Sequence, residues 1–207
     1  MIKLNPTKLR KDLAECQKLL ERRPDSWFRR EAVGRCLYWL HDPAAATYFQ
    51  GALEVYSLPR DADAFEWKRI GGLWRLAGDP ERAQDAFTRA YTLLQAGDHA
   101  EAPLSLPDRI ECSFFLTKDA EIQHMATALP KPPDPDLRVY VVVQLAHARA
   151  QMDVAQAEHA GEELAAMIKR SRARVYDTGA PTTWDWYEIA WRLAHDLGAD
   201  VPKDALP

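Results

Sequence analysis

Residues 64–97 constrain the fold more tightly than any other stretch. Trp67, Ile70, Gly71 and Trp74 recur at helical spacing, Gly78-Asp79-Pro80 interrupts the run, and Ala83, Phe87 and Ala90 resume it. The spacing W-x2-I-G-x2-W, turn, A-x3-F-x2-A predicts two antiparallel helices joined by a short turn. Small residues at Gly71, Ala83 and Ala90 let two helices approach closely, and the large Trp67, Trp74 and Phe87 then fill the wedge beside them. One such pair cannot bury its own apolar face, so neighbouring pairs must stack on it.

A second unit lies upstream. Residues 26–59 carry Val33, Gly34 and Leu37, then His41-Asp42-Pro43, then Ala45, Phe49 and Ala52. In both turns Asp caps the next helix and Pro starts it. Other segments give weaker helical signals. Asn5 caps a first helix from Pro6 to Arg23, with Leu9, Leu13, Cys16 and Leu20 as its apolar stripe. Residues 107–129 divide into a short pair near Lys118-Asp119, and 137–173 form another with Asp153 as a cap. A final helix spans 183–197 and is closed by Gly198. The β-branched run Val139–Val143 reads as helix because Gln144–Ala150 continue it in good helix formers. Two long loops are expected, Gly97–Pro107 and the stiff connector Pro130–Asp136. The expected architecture is one all-α domain over residues 1–207, with about ten helices.

The pattern of 64–97 resembles the tetratricopeptide repeat, a two-helix unit reading W-x2-L-G-x2-Y…A-x3-F…P. Gln95 stands at the closing Pro position. The likeness extends more loosely to 26–59, and it implies a TPR-like α-solenoid, short and right-handed, whose first helices line a concave groove. Carried onto this chain, that groove would present Phe28, Arg35, Tyr38 and Trp39 from one helix, and Phe65, Lys68 and Arg75 from the next. Glu31, Gly72 and Leu76 share the same face. The family's carboxylate-gripping version uses Asn at the positions that Arg35 and Gly72 hold here.

Composition narrows the function classes. A net charge of −4 argues against a general nucleic-acid binder, which needs a basic surface. Basic residues nevertheless gather over 8–35 and acidic ones over 98–136, an asymmetry able to steer a charged partner. The three cysteines, Cys16, Cys36 and Cys112, make neither a disulfide framework nor a zinc site. No catalytic motif is present, so no catalytic residue, metal or cofactor is assigned. His159, Glu162 and Glu163 read as a solvated, salt-linked face. The N-terminus lacks the apolar core of a secretory signal and no run reaches membrane-spanning length, so the expected compartment is the cytoplasm. Trp184, Trp186, Tyr187 and Trp191 spread over more than one side of the last helix. They mark a second candidate surface, either covered by the loop at 175–183 or used by a partner or a second copy in a homodimer. The expected function is non-catalytic binding of a protein or peptide partner of acidic character, with no nucleic acid or membrane. The role envisaged is that of a bacterial immunity protein neutralising a toxin, or of a secretion chaperone. The alternative is a small-molecule-sensing regulator or enzyme using the concave pocket.

Overall fold

The computed structural model of the chain describes residues 1–96, 105–129, 138–179, 181–202 and 206–207. Among these residues the fold is all-α, with ten helices and no strand. They are α1 (Pro6–Arg22), α2 (Trp27–Trp39), α3 (Ala45–Val55), α4 (Ala64–Leu76), α5 (Pro80–Ala96), α6 (Ser105–Phe115), α7 (Asp119–Ala126), α8 (Arg138–Gln151), α9 (Val154–Ser171) and α10 (Thr183–Asp196). The connector expected at Pro130–Asp136 lies outside the described residues, as does most of that at Gly97–Pro107; from Ser105 onward the latter is already α6. Val139–Val143 is helical, within α8. Helices adjacent in sequence pack on one another from α1 to α10, and α8 also meets α6 and α10.

Local chemistry explains where the helices begin. Asn5 Oδ1 accepts from the backbone N–H of Thr7 and Lys8 at 3.0 and 3.2 Å. Asp63 and Glu66 form a reciprocal capping box on α4, and Thr182 and Asp185 form one on α10. Asp153 accepts from Gln156 N–H at 3.0 Å.

One turn closes the first helix of four successive pairs, and it also ends α9 at Arg172 and α10 at Gly198. The residue closing the first helix of each pair adopts a positive φ: His41 at 57°, Gly78 at 80°, Thr117 at 55° and Met152 at 55°. The next residue then donates its N–H five residues back. These bonds are Asp42 to Leu37 (3.0 Å), Asp79 to Trp74 (3.0 Å), Lys118 to Ser113 (2.9 Å) and Asp153 to Ala148 (2.9 Å). This left-handed closure satisfies a carbonyl that the helix end would otherwise orphan, and it reverses the chain sharply. Glycine suits the position best, yet among the four turns within pairs only Gly78 supplies it.

Close approach follows from a notch and a ring. A Cβ added at Gly34 would lie 3.0 Å from the Phe49 ring, and one at Gly71 would lie 2.9 Å from the Phe87 ring. The same device joins α9 to α10, where a Cβ at Gly161 would come within 2.6 Å of the Trp191 indole. Seven residues before the turn, where the first two pairs carry Gly34 and Gly71, the later pairs carry the fully buried Ile110 and Leu145. Their second helices hold Met125 and Ala160 eight residues after the turn, at the position of Phe49, so the glycine–ring notch is not repeated there. Trp67 and Trp74 are half-buried, each with a guanidinium over its ring, Arg89 and Arg82 respectively, both at 4.6 Å.

Two expected outcomes test this construction by urea denaturation. Gly161→Ala destabilises by about 1–3 kcal/mol through overpacking against Trp191. Thr117→Gly stabilises by about 1 kcal/mol, because a β-branched residue is strained at positive φ and glycine is not.

Candidate functional site

The face formed by the first helices of the pairs is occupied by the chain's own last helix. α10 buries residues all around its circumference, as a helix surrounded by protein must. Trp184 meets Trp39 of α2 edge-on at 5.0 Å and donates its indole N–H to Ala173 O at 3.1 Å. Trp186 packs on Phe114 and Phe115 of α6, both at 5.1 Å. The Tyr187 hydroxyl accepts from Ile2 N–H at 2.6 Å, and Trp191 fills the notch over Gly161. The second surface expected at Trp184, Trp186, Tyr187 and Trp191 is therefore corrected. All four are buried, covered by α2, α6 and α9 rather than by the loop at 175–183 alone, and they leave no aromatic patch on α10 for a homodimer.

The charged residues of that face are also engaged internally. Arg35 is buried and grips Asp185 with both terminal nitrogens, at 3.1 and 3.0 Å, while its Nε reaches Glu31 at 2.8 Å. Arg75 binds Asp185 at 3.1 Å and Glu188 at 3.3 Å. The Tyr38 hydroxyl donates to Glu188 at 2.7 Å, and Arg192 pairs with the same carboxylate. Three guanidiniums thus face three carboxylates, a balanced set in a place where an unmatched charge would be expensive. Lys68 is buried too, pairing with Asp108 and with Glu111 at 2.7 Å; Arg138 holds the other Glu111 oxygen. The expectation that Arg35, Lys68 and Arg75 form a free cationic groove is corrected accordingly, and Trp39 is buried against α10. Of the seven residues expected there, only Phe28 and Phe65 are prominently exposed, at 45% and 51%.

These contacts set the protonation of the cluster. Burial alone would raise the Asp185 carboxyl, but the neighbouring Arg35 and Arg75, with Thr182 N–H, hold it down at about 2. Glu31 goes the other way, because burial outweighs the pull of Arg35 and pushes it up. Burial and the adjacent Glu188 carboxylate together push the Tyr38 hydroxyl up. With its acceptors filled by guanidiniums, the cluster is built to join helices.

Two clefts lie elsewhere among the described residues. One, of about 290 Å³, opens where α10 begins, between Phe65, Arg138, Thr182 and Trp184. The other, of about 600 Å³, lies between α1 and the end of α9, beside Lys8, Lys169 and Tyr176. Among the described residues no group of three or more His, Cys, Asp or Glu side chains could hold a metal ion. His159 and Glu163 make a solvent-exposed contact at 3.5 Å. The three cysteines are free and buried, and Cys112 is pushed up to about 12, mainly by burial. No described helix is long and apolar enough to cross a membrane.

Repeat register in the sequence put Glu31, Arg35 and Arg75 on one face, but it did not pair them with Asp185 and Glu188. The signal for Asp185 and Glu188 was their place between tryptophans: a carboxylate in an aromatic run requires a buried cation. Two outcomes are expected. Arg35→Met costs about 3–5 kcal/mol, because it strands buried carboxylates. Asp185 contributes stability that is present above the ordinary carboxyl value near 4 and is lost as pH falls toward 2, about 2–3 kcal/mol in all. Chemical denaturation between pH 4 and 2 should show that loss in the parent chain and not in Asp185→Asn; Glu31, whose carboxyl is pushed up, makes its opposite contribution above pH 4.5, outside that window. No protein-family model matches the chain, and no curated protein matches its sequence.

Proposed function

We propose that this chain is a tetratricopeptide-like helical-repeat protein, a short solenoid that binds a dedicated protein partner and carries out no catalysis. The observation that carries the reading is that one left-handed closure ends the first helix of four successive pairs, every 35–39 residues, with a Gly–ring notch in the first two pairs. A repeat of that construction is a scaffold, and scaffolds of stacked helix pairs serve by presenting surface. The use of the buried carboxylates as structural partners for Arg35 and Arg75 adds support, since it leaves them without a free acid or base.

The internal position of α10 favours one form of this function over the other. A chaperone cradling an unfolded segment needs an open groove, and here the central part of that face is filled by aromatic residues and ion pairs of the chain itself. Binding of a folded partner at the uncovered rim, as an immunity protein binds its toxin, needs no such vacancy. The test is affinity capture of the tagged full-length chain from its native host after mild cross-linking, paired with thermal melts against a metabolite panel. The expected result is one polypeptide recovered in stoichiometric amount, which raises the melting temperature when added back. A shift of several degrees by a small molecule, with no polypeptide retained, would overturn the proposal.

A further inference from the structure

At the open end of the first helices, aromatic rings and cations alternate in one continuous strip. Arg29 lies over the Phe28 ring at 5.8 Å, and Phe28 meets Trp27 edge-on at 5.9 Å. Arg69 of α4 sits between Trp27 of α2 and Phe65 of its own helix, at 5.1 and 5.0 Å from the two rings. Phe28 and Phe65 are each six residues before the notch glycine of their helix, so they occupy equivalent positions in successive units. Both are about half exposed, and they are the aromatic members of the exposed large hydrophobic residues among those described.

The cations of this strip differ from those under α10. Arg29 donates to the Leu19 carbonyl and Arg30 to the Pro24 carbonyl at 3.0 Å, while Arg69 is held by rings and by Tyr56. None of the three forms an ion pair with a carboxylate among the described residues. Elsewhere in the molecule Arg35, Arg75, Arg138 and Arg149 all have carboxylate partners. Guanidiniums held flat on aromatic rings keep their edge donors available, and carboxylates are their best-matched acceptors.

We infer that this strip is the recognition surface of the proposed partner, and that it takes an acidic polypeptide segment whose apolar side chains pack on Phe28 and Phe65. This inference rests on the protein-binding reading and names the chemistry of the bound segment. The carboxylates engage Arg29 and Arg69 beside the rings of Phe28, Trp27 and Phe65, with Arg30 adding charge nearby. Single-stranded nucleic acid also stacks on alternating rings and cations. A net charge of −4 opposes so dense a polyanion more than it opposes a short acidic segment.

The experiment measures fluorescence anisotropy of a fluorescein-labelled peptide with Glu at alternate positions and two Leu between them. Its controls are the same peptide with Gln for Glu, the same peptide with Ser for Leu, and a labelled oligo(dT) of equal length. The full chain should bind the acidic Leu peptide at least tenfold more tightly than any control. Phe65→Ser and Arg29→Glu should each weaken that binding tenfold or more, with circular dichroism and urea midpoint held close to the parent. Photo-cross-linking from a Leu position should label residues on 27–30 or 65–69, a readout independent of any variant. Equal binding of Glu and Gln peptides, absence of binding at millimolar peptide, labelling elsewhere, or tighter binding of oligo(dT) would each overturn the inference. The two readings fail separately: a captured natural partner that stays bound to folded Phe65→Ser and Arg29→Glu removes this surface but leaves the binding module standing.

Discussion

A buried guanidinium has to find carboxylates, and Arg35 finds one 150 residues away on α10 and the other a single turn back on its own helix. Its bidentate grip on Asp185 fixes the start of α10 against α2, and Arg75 ties the same carboxylate to α4. Removing any partner leaves charge stranded in a dry place, so the set stands or falls together. The last helix is thereby made part of the interior, and the inner face of the helix pairs becomes a core.

The surrounding aromatic residues are consistent with that arrangement. Trp184, Trp186, Tyr187 and Trp191 point to different sides of α10, and each side has a neighbour: α2, α6, the N-terminal segment and α9. A helix with apolar residues on every side is unstable anywhere but inside protein. The rim beyond the reach of α10 holds Phe28 and Phe65, the most exposed aromatic residues among those described.

Much of the fold was legible because its determinants are local. Gly71 with Phe87, Asn5 before Pro6, and Asp153 before its helix each act within a turn or a hairpin, and each appears where the spacing places it. The later pairs were harder to read because they lack the glycine–ring notch. Ile110 and Leu145 stand where the notch glycine would be, and Met125 and Ala160 stand where Phe49 is, so the written signature is lost. The candidate site was half legible. Repeat register picked out Arg35, Lys68 and Arg75 as cations on one face, but register says nothing about what lies opposite.

Helical periodicity, capping residues and the small-large alternation of two hairpins determined, from the sequence alone, an all-α chain of about ten helices with short paired turns. These are interactions between residues close in sequence, and their energetics need no knowledge of the rest. Only the tertiary structure decided that Asp185 and Glu188 meet Arg35 and Arg75, and that four aromatic residues on one helix are interior rather than offered to a partner. Which charges pair across more than a hundred residues depends on where the path of the chain returns. Charge, unlike periodicity, carries no mark of its partner until the two are brought within a few ångströms in a low-dielectric interior.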